Sequence, residues 1–227
     1  MAAPGASKTV IVVTGGDPVE PAQVPADLAG AVVIAADSGV DQALALGLHV
    51  DRAIGDFDSV TADALATVTA RGAIVDRHPV AKDATDLALA LDAALALEPS
   101  RIVVLGGHGG RLDHLLANAL LLAGPAYAAT SIVAQMGAAR VTVVRGRVEL
   151  TGPVGDVVSL LPPHGVAIGV TTTGLLYPLA GEDLPAGSTR GVSNELTAPT
   201  ATVEVRNGVL LAVQPGSLGS HHQTRTS

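Results

Sequence analysis

The hydrophobic rhythm of this chain changes near Gly137. Before it, short runs of Val and Ile bounded by Gly or Asp alternate with longer segments of helical spacing. Thr9–Thr14, Ala31–Ala36 and Ile102–Leu105 are apolar almost without a break, as strands buried on both faces of a parallel sheet are. Arg52–Gly55, Ala73–Asp76 and Ile132–Gln135 read as shorter strands. Between them, Gly39–Leu46, Ala62–Arg71, Ala84–Leu97 and Leu112–Ala123 read as helices. Asp83 is placed to cap the third, which puts Leu87, Leu91 and Leu95 on its buried face and Asp86 in its first turn. Gly124 as C-cap and Pro125 end the fourth. The alternation predicts an α/β domain over residues 1–137, an open, mostly parallel sheet with helices on both faces.

After Gly137 the helical period disappears. Val141–Val144, Val148–Leu150, Val157–Leu161, Val166–Thr172, Thr202–Val205 and Val209–Val213 are short strand-like runs separated by Gly-rich or Pro-rich turns. Asn207-Gly208 is a hairpin signal. Residues 138–216 are therefore expected to form an all-β sandwich, and the polar residues 217–227 a disordered tail.

Composition narrows the classes. The 227 residues, 48% hydrophobic, suffice for one large or two small domains. With 1% aromatics, the core must come from Ala, Val, Leu and Ile, and the stacking platforms of a glycosidase cleft are missing. A formal net charge of −8 argues against a nucleic-acid partner. The lack of cysteine excludes disulfides and thiolate metal sites and is compatible with the cytoplasm. Thr9–Val13 is too short for a signal-peptide core. Leu115–Ala139 carries no charge, but Gly124-Pro125 interrupts it, and Asn118, Thr130, Ser131 and Gln135 add polarity. We read it as a buried helix, a turn and a strand, in a soluble protein without a membrane partner.

In open α/β sheets, ligands bind beyond the carboxyl ends of the strands. Five polar or Gly-rich loops fall there: Thr14-Gly15-Gly16, Asp37-Ser38-Gly39, Asp56-Phe57-Asp58-Ser59, Lys82-Asp83-Ala84-Thr85-Asp86 and Gly106–Arg111. Gathered carboxylates cost free energy unless a cation neutralises them, so the rim predicts a divalent metal and a phosphorylated substrate. Asp37 is also explained as a turn residue, and Asp83 and Asp86 as helix caps. Gly106–Gly110 is neither a Walker loop nor a dinucleotide fingerprint. It offers backbone N–H groups near a helix N-terminus, with Arg111 as a fork for phosphate oxygens. Arg111, His114 and Asn118 form one polar stripe on an otherwise apolar helix. His49, His78, His108 and His164 read as ordinary surface or loop histidines, and His221 and His222 belong to the tail. Ser38 and Ser59 lack a nucleophile elbow.

Ala36-Asp37-Ser38-Gly39, Gly55-Asp56-Phe57-Asp58-Ser59, Lys82-Asp83-x-Thr85-Asp86 and Gly110-Arg111-Leu112-Asp113-His114-x3-Asn118 stand in the order and spacing of the thiamine pyrophosphokinase family. Thr171–Leu179 and Gly191-Val192-Ser193-Asn194-Glu195 fit as well, so the chain resembles that family from about Val10 to Val213. The resemblance implies an α/β domain followed by a β-sandwich, working as a homodimer with thiamine near the subunit interface. It implies transfer of the pyrophosphoryl group of ATP to the thiamine hydroxyl, leaving AMP. Asp37, Asp56, Asp58 and Asp86 would then hold Mg²⁺. Lys82 and Arg111 would offset charge on the transferring group, with Asp113 fixing Arg111 or the alcohol. Gly15, Gly16, Asp37, Gly39, Lys82, Thr85, Gly107, Arg111 and His114 would bind ATP. Asn118, Tyr177, Ser193 and Asn194 would bind thiamine. The chain departs from the family where Ser38 replaces a common Gly and Tyr177 a Trp found in some members. Two alternatives share the rim: a pyrophosphokinase acting on another heteroaromatic alcohol, such as a hydroxymethylpterin, and a non-catalytic nucleotide or thiamine-phosphate sensor. A sensor would be expected to lose one of the acids, and none is missing.

Overall fold

The computed structural model describes residues 8–79 and 83–216. The chain divides into two compact units, Met1–Gly137 and Ala138–Ser227. In the first, strands β1 (Thr9–Thr14), β2 (Val32–Ala36), β3 (Arg52–Gly55), β4 (Ile74–Arg77), β5 (Arg101–Leu105) and β6 (Ser131–Met136) pair in the order β6-β5-β1-β2-β3-β4. Every one of these pairings is parallel. Helices α1 (Gly39–Ala45), α2 (Ala62–Ala70), α3 (Asp86–Leu95) and α4 (Leu112–Leu122) follow β2, β3, β4 and β5. The chain steps outward from β1 to β4, then returns to the other side of β1 as β5. The loops after β1 and β5 therefore flank the point where the strand order reverses, the place where such sheets bind ligands.

The strands form because their side chains are wanted on both faces. Val10 to Val13 are all at most 2% exposed. Ile11, Val13, Val33, Ala35, Val103 and Leu105 pack with Val40 and Ala43 of α1 and Ala64 and Val68 of α2. α3 lies against β1, β2 and β3 and buries Leu87, Ala90, Leu91 and Ala94. Small alanines at these contacts let a chain poor in aromatics fill its core.

Three local expectations are corrected. α3 starts at Asp86 and is capped by Thr85, not Asp83, because Thr85 is extended and its hydroxyl accepts the Ala88 N–H at 3.2 Å. α4 ends at Leu122 with Ala123 as its C-cap; Gly124 has φ −57° and leads into a 3₁₀ turn over Pro125–Tyr127. α4 is also not buried: Leu112, Leu116 and Leu120 are exposed and Leu122 alone of its residues is buried. Among the described residues, no helix is long and apolar enough to cross a membrane.

The second unit contains β7 (Ala139–Val144), β8 (Arg147–Thr151), β9 (Val157–Leu161), β10 (Val166–Thr173), β11 (Ala180–Pro185), β12 (Asn194–Glu195), β13 (Thr200–Glu204) and β14 (Leu210–Gln214). They form two antiparallel layers, β12-β9-β14-β7 and β11-β10-β13-β8. Val144, Leu150, Leu160, Val170, Leu184, Val203 and Leu210 make the core of this sandwich. β11 and β12 had no sequence signal: β11 buries only Leu184, and β12 is two residues long. Asn207-Gly208 does not close a hairpin, since β13 and β14 belong to different layers. Ala201 and Val203 on one side and Leu210 and Ala212 on the other all enter the core, so the turn carries the chain between layers. The tail expected over 217–227 lies outside the described residues.

Candidate active site

The acidic rim is assembled by backbone that resists its own conformation. Asp37 directly follows β2, where its N–H bonds the Ile54 carbonyl of β3 at 2.9 Å, and turns at φ 45°. Phe57 adopts φ 61° between the two acids of the next loop. Left-handed backbone at a non-glycine residue persists only where surroundings hold it, and it gathers at functional sites. Here the surroundings are visible. The Phe57 ring packs on the core of the first unit and lies 5.1 Å below the Arg77 guanidinium. The apolar residue between the acids is thus the anchor of the loop, and the turn it makes brings Asp56 and Asp58 to Asp37.

Ligand oxygens of Asp37, Asp56 and Asp58 all lie within 4.8 Å of one another. Asp86 stands outside that group but opposes Asp37 across Gly55, where a Cβ would come 3.1 Å from Asp86 Oδ1 and 3.2 Å from Asp37 Cβ. Burial raises the Asp37 carboxyl above its ordinary value, and repulsion from Asp86, Asp56 and Asp58 adds to this against an opposing Ser38 backbone hydrogen bond. Asp37 Oδ1 is buried and has no hydrogen-bond partner among the described residues. A buried carboxylate oxygen left bare among other carboxylates is costly in water or protein alone, and a hard divalent cation with oxygen ligands answers both costs. The donor set fits Mg²⁺.

Beside the acids runs a cleft of about 350 Å³ lined by the loops after β1, β2, β3 and β5, with the start of α3 and one face of α4. Gly15, Gly16, Asp37, Thr85, Asp86, Gly107, Arg111, His114 and Asn118 all reach it. Gly16 has φ 131°, and a Cβ there would fall 2.1 Å from the His108 carbonyl oxygen, so only glycine allows the β1 and β5 loops to meet. They are stitched by Gly107 N–H to the Gly15 carbonyl at 2.9 Å and Asp17 N–H to the His108 carbonyl at 2.6 Å. Arg111 stands at the N-cap position of α4 and grips Asp113 in a fork, Nη2 to Oδ2 at 2.6 Å and Nε to Oδ1 at 3.2 Å. That fork lowers the Asp113 carboxyl to about 2 and raises Arg111, so the two stay a charged pair. Asn118 Nδ2 donates to the Gly107 carbonyl at 3.2 Å and ties α4 to the loop. Gly39 is buried behind the cleft, and Lys82 lies outside the described residues.

A second groove of about 580 Å³ opens from Gly15, Gly16, Ser38 and Ser59, which it shares with the cleft, and continues past Pro18, Val19 and Leu46. Gln42 shapes it, donating to the Thr14 carbonyl at 2.8 Å and accepting the Val19 N–H at 3.0 Å. Sequence reasoning missed this clamp, a lone amide among apolar positions of α1. It also missed His108, which reaches the cleft and holds Nδ1 3.0 Å from an Asp17 carboxylate oxygen.

In the second unit, Tyr177, Ser193 and Asn194 come together. Ser193 turns at φ 55° and donates its N–H to Ser159 Oγ at 3.1 Å. Asn194 is buried and bonds the backbone of Tyr177 through its side chain, while Tyr177 is 56% exposed.

A parallel α/β sheet with an acid cluster and an arginine at the carboxyl ends of its strands, followed by a β-sandwich, defines a phosphoryl-transferring class. Residues 29–134 match the family model "Thiamin pyrophosphokinase, catalytic domain", and residues 147–210 match "Thiamin pyrophosphokinase, vitamin B1 binding domain". The thiamine pyrophosphokinase of Bacillus subtilis (strain 168) is 30% identical over 222 residues, 91% of this chain and 98% of that protein. A crystal structure of the B. subtilis enzyme superposes with a TM-score of 0.78 at 30% identity, covering 93% of this chain and 100% of that one. For the Geobacillus thermodenitrificans enzyme the TM-score is 0.76 at 29% identity, covering 93% and 99%. The chain belongs to the thiamine pyrophosphokinase family, whose members are ATP-dependent pyrophosphoryl transferases.

Proposed function

We propose that the chain converts thiamine and ATP into thiamine diphosphate and AMP. Asp37, Asp56, Asp58 and Asp86 would hold Mg²⁺, which would supply positive charge against that of the phosphates. The observation that carries this is the bare, buried Asp37 Oδ1 within the three-carboxylate cluster. Arg111, held by Asp113, faces the cleft and offsets charge as the bond from the β-phosphorus to the α-phosphate oxygen breaks. Gly15, Gly16, Thr85, Gly107 and His114 form the wall along the nucleotide, with Gly39 behind it and Lys82 contributing by family resemblance. The apolar groove past Val19 and Leu46 receives the nucleoside. An acid of the cluster takes the thiamine hydroxyl proton as its oxygen attacks.

For the acceptor, family resemblance assigns Asn118, Tyr177, Ser193 and Asn194. Two surfaces support a homodimer: the stripe of Leu112, Leu116 and Leu120 along α4, and Leu176, Tyr177 and Val192 in the sandwich. We place the protein in the cytoplasm, with its ATP supply. Incubation with ATP, Mg²⁺ and thiamine should yield AMP and thiamine diphosphate in equal amounts by chromatography. ADP with thiamine monophosphate would sink the pyrophosphoryl reading, and turnover of a hydroxymethylpterin but not thiamine would sink the acceptor.

A further inference from the structure

The Tyr177 segment is tied to the 194–197 segment by a short antiparallel ladder. Thr197 N–H bonds the Gly174 carbonyl at 2.9 Å, Leu175 bridges Leu196, and Leu176 N–H bonds the Glu195 carbonyl at 2.9 Å. The next rung should come from the backbone beyond Glu195. It cannot, because Pro178, which falls opposite Ser193 in this register, has no N–H, and Ser193 turns left-handed at φ 55° with its own N–H on Ser159 Oγ. The Asn194 side chain supplies the rung instead. Its Oδ1 accepts the Tyr177 N–H at 2.9 Å and its Nδ2 donates to the Tyr177 carbonyl at 2.8 Å. This two-way exchange is what directly paired residues make in an antiparallel sheet, here with a side-chain amide in place of a peptide. The pattern also fixes which atom is oxygen, since only Oδ1 can accept N–H groups.

Oδ1 accepts a second N–H, that of Glu195, at 2.9 Å. Both of its lone-pair positions are then in use, and the residue is 3% exposed. Asn194 has no oxygen left for the amino group of a ligand. The phenol of Tyr177 is in the opposite state: among the described residues nothing bonds its hydroxyl, and the residue is more than half exposed. Its place is set through its backbone.

We propose that Asn194 is a positioning residue of the acceptor site, whose amide pins the Tyr177 backbone and so fixes where the exposed ring meets a heteroaromatic substrate. This rests on the reading that Tyr177 contacts thiamine. It assigns Asn194 no direct contact.

The test has two arms. In the unaltered chain, hydrogen exchange should show the Tyr177 amide protected like the strand amides, despite the exposure of the residue. Rapid exchange there would overturn the pin, whatever any variant does. In the second arm, Asn194→Ala should raise KM for thiamine roughly tenfold and leave KM for ATP within about twofold, the size of one or two lost hydrogen bonds. In a Tyr177→Ala background the same change should add less than about twofold, because its effect passes through that ring. A full tenfold effect in that background would mean that Asn194 touches thiamine itself. If Tyr177→Ala leaves KM for thiamine unchanged while the amide is protected, the acceptor-site role fails for both residues and Asn194 is a structural rung only.

Discussion

In the first unit, Asp37, Asp56 and Asp58 crowd within 4.8 Å, and one buried carboxylate oxygen is left bare. In the second, Asn194 spends its side-chain oxygen and one amide hydrogen on neighbouring backbone. Both sites use a left-handed non-glycine residue, Phe57 or Ser193, to turn polar groups inward. The difference lies in what each turn leaves unfinished. The acid cluster stores repulsion that only an added positive charge can relieve. The sandwich site is complete without a ligand and offers a pre-placed aromatic face. On the proposed reading, one unit is built to be neutralised, and the other to be a rigid template.

The largest effect should separate these directly. Asp56→Asn or Asp58→Asn should lower kcat on the order of 10³-fold while circular dichroism and thermal unfolding stay those of the unaltered protein. Retained activity in both would remove the cluster from the reaction. Arg111→Met should cost roughly 10²-fold in kcat. Asp113→Asn should cost about tenfold, because it loosens the Arg111 fork without removing the charge. Equal losses for the two would mean that Asp113 acts on the substrate and not through Arg111.

A stability measurement sharpens the contrast further. Asp37→Asn should raise the metal-free Tm by roughly 2–4 °C, since it removes a buried charge that its neighbours repel. It should also abolish any rise in Tm on adding Mg²⁺. The sign in the unaltered protein follows from the raised Asp37 carboxyl. The folded state holds the proton more tightly, so the metal-free protein gains this contribution as pH falls through the raised value and loses it as Asp37 ionises. A lower metal-free Tm for Asp37→Asn would show that the carboxylate is stabilised where it stands.

The smallest effect comes from a satisfied polar group within the first unit. Burial pushes the Tyr127 phenol up to about 12, helped by its hydrogen bond to Asp92 at 3.2 Å. In a Tyr177→Phe variant, where Tyr127 is the remaining tyrosine, absorbance should report ionisation near 12. Its stabilising contribution should be whole below about 10 and lost as pH rises from there through 12. Ionisation near 10 would remove Tyr127 from the buried, satisfied class.

Much of the first unit was legible along the chain. Unbroken runs such as Val10–Val13 mark strands wanted on both faces, and such strands end where ligands bind. The acids were legible for the same reason, since a charge in so apolar a chain is conspicuous. α4 misled because its leucines resemble those of a buried helix; period alone does not say whether anything covers the face. Asn207-Gly208 misled because turn chemistry fixes a reversal but not which strands pair across it. β12 and the Asn194 rung left no sequence trace, because a two-residue strand and a side-chain bond have no period.

By itself, then, the sequence determined the order of elements, the change from helical to strand rhythm near Gly137, and the position of Asp37, Asp56 and Asp58 just past strand ends. These follow from side-chain period and backbone chemistry, which act over a few residues. Tertiary structure decided that Phe57 is the anchor that turns two acids toward a third, that Asp37 keeps a bare oxygen, and that Asn194 is spent on Tyr177. Those facts depend on which distant groups meet and on how many hydrogen-bond positions each has already used, and neither is a local property of the chain.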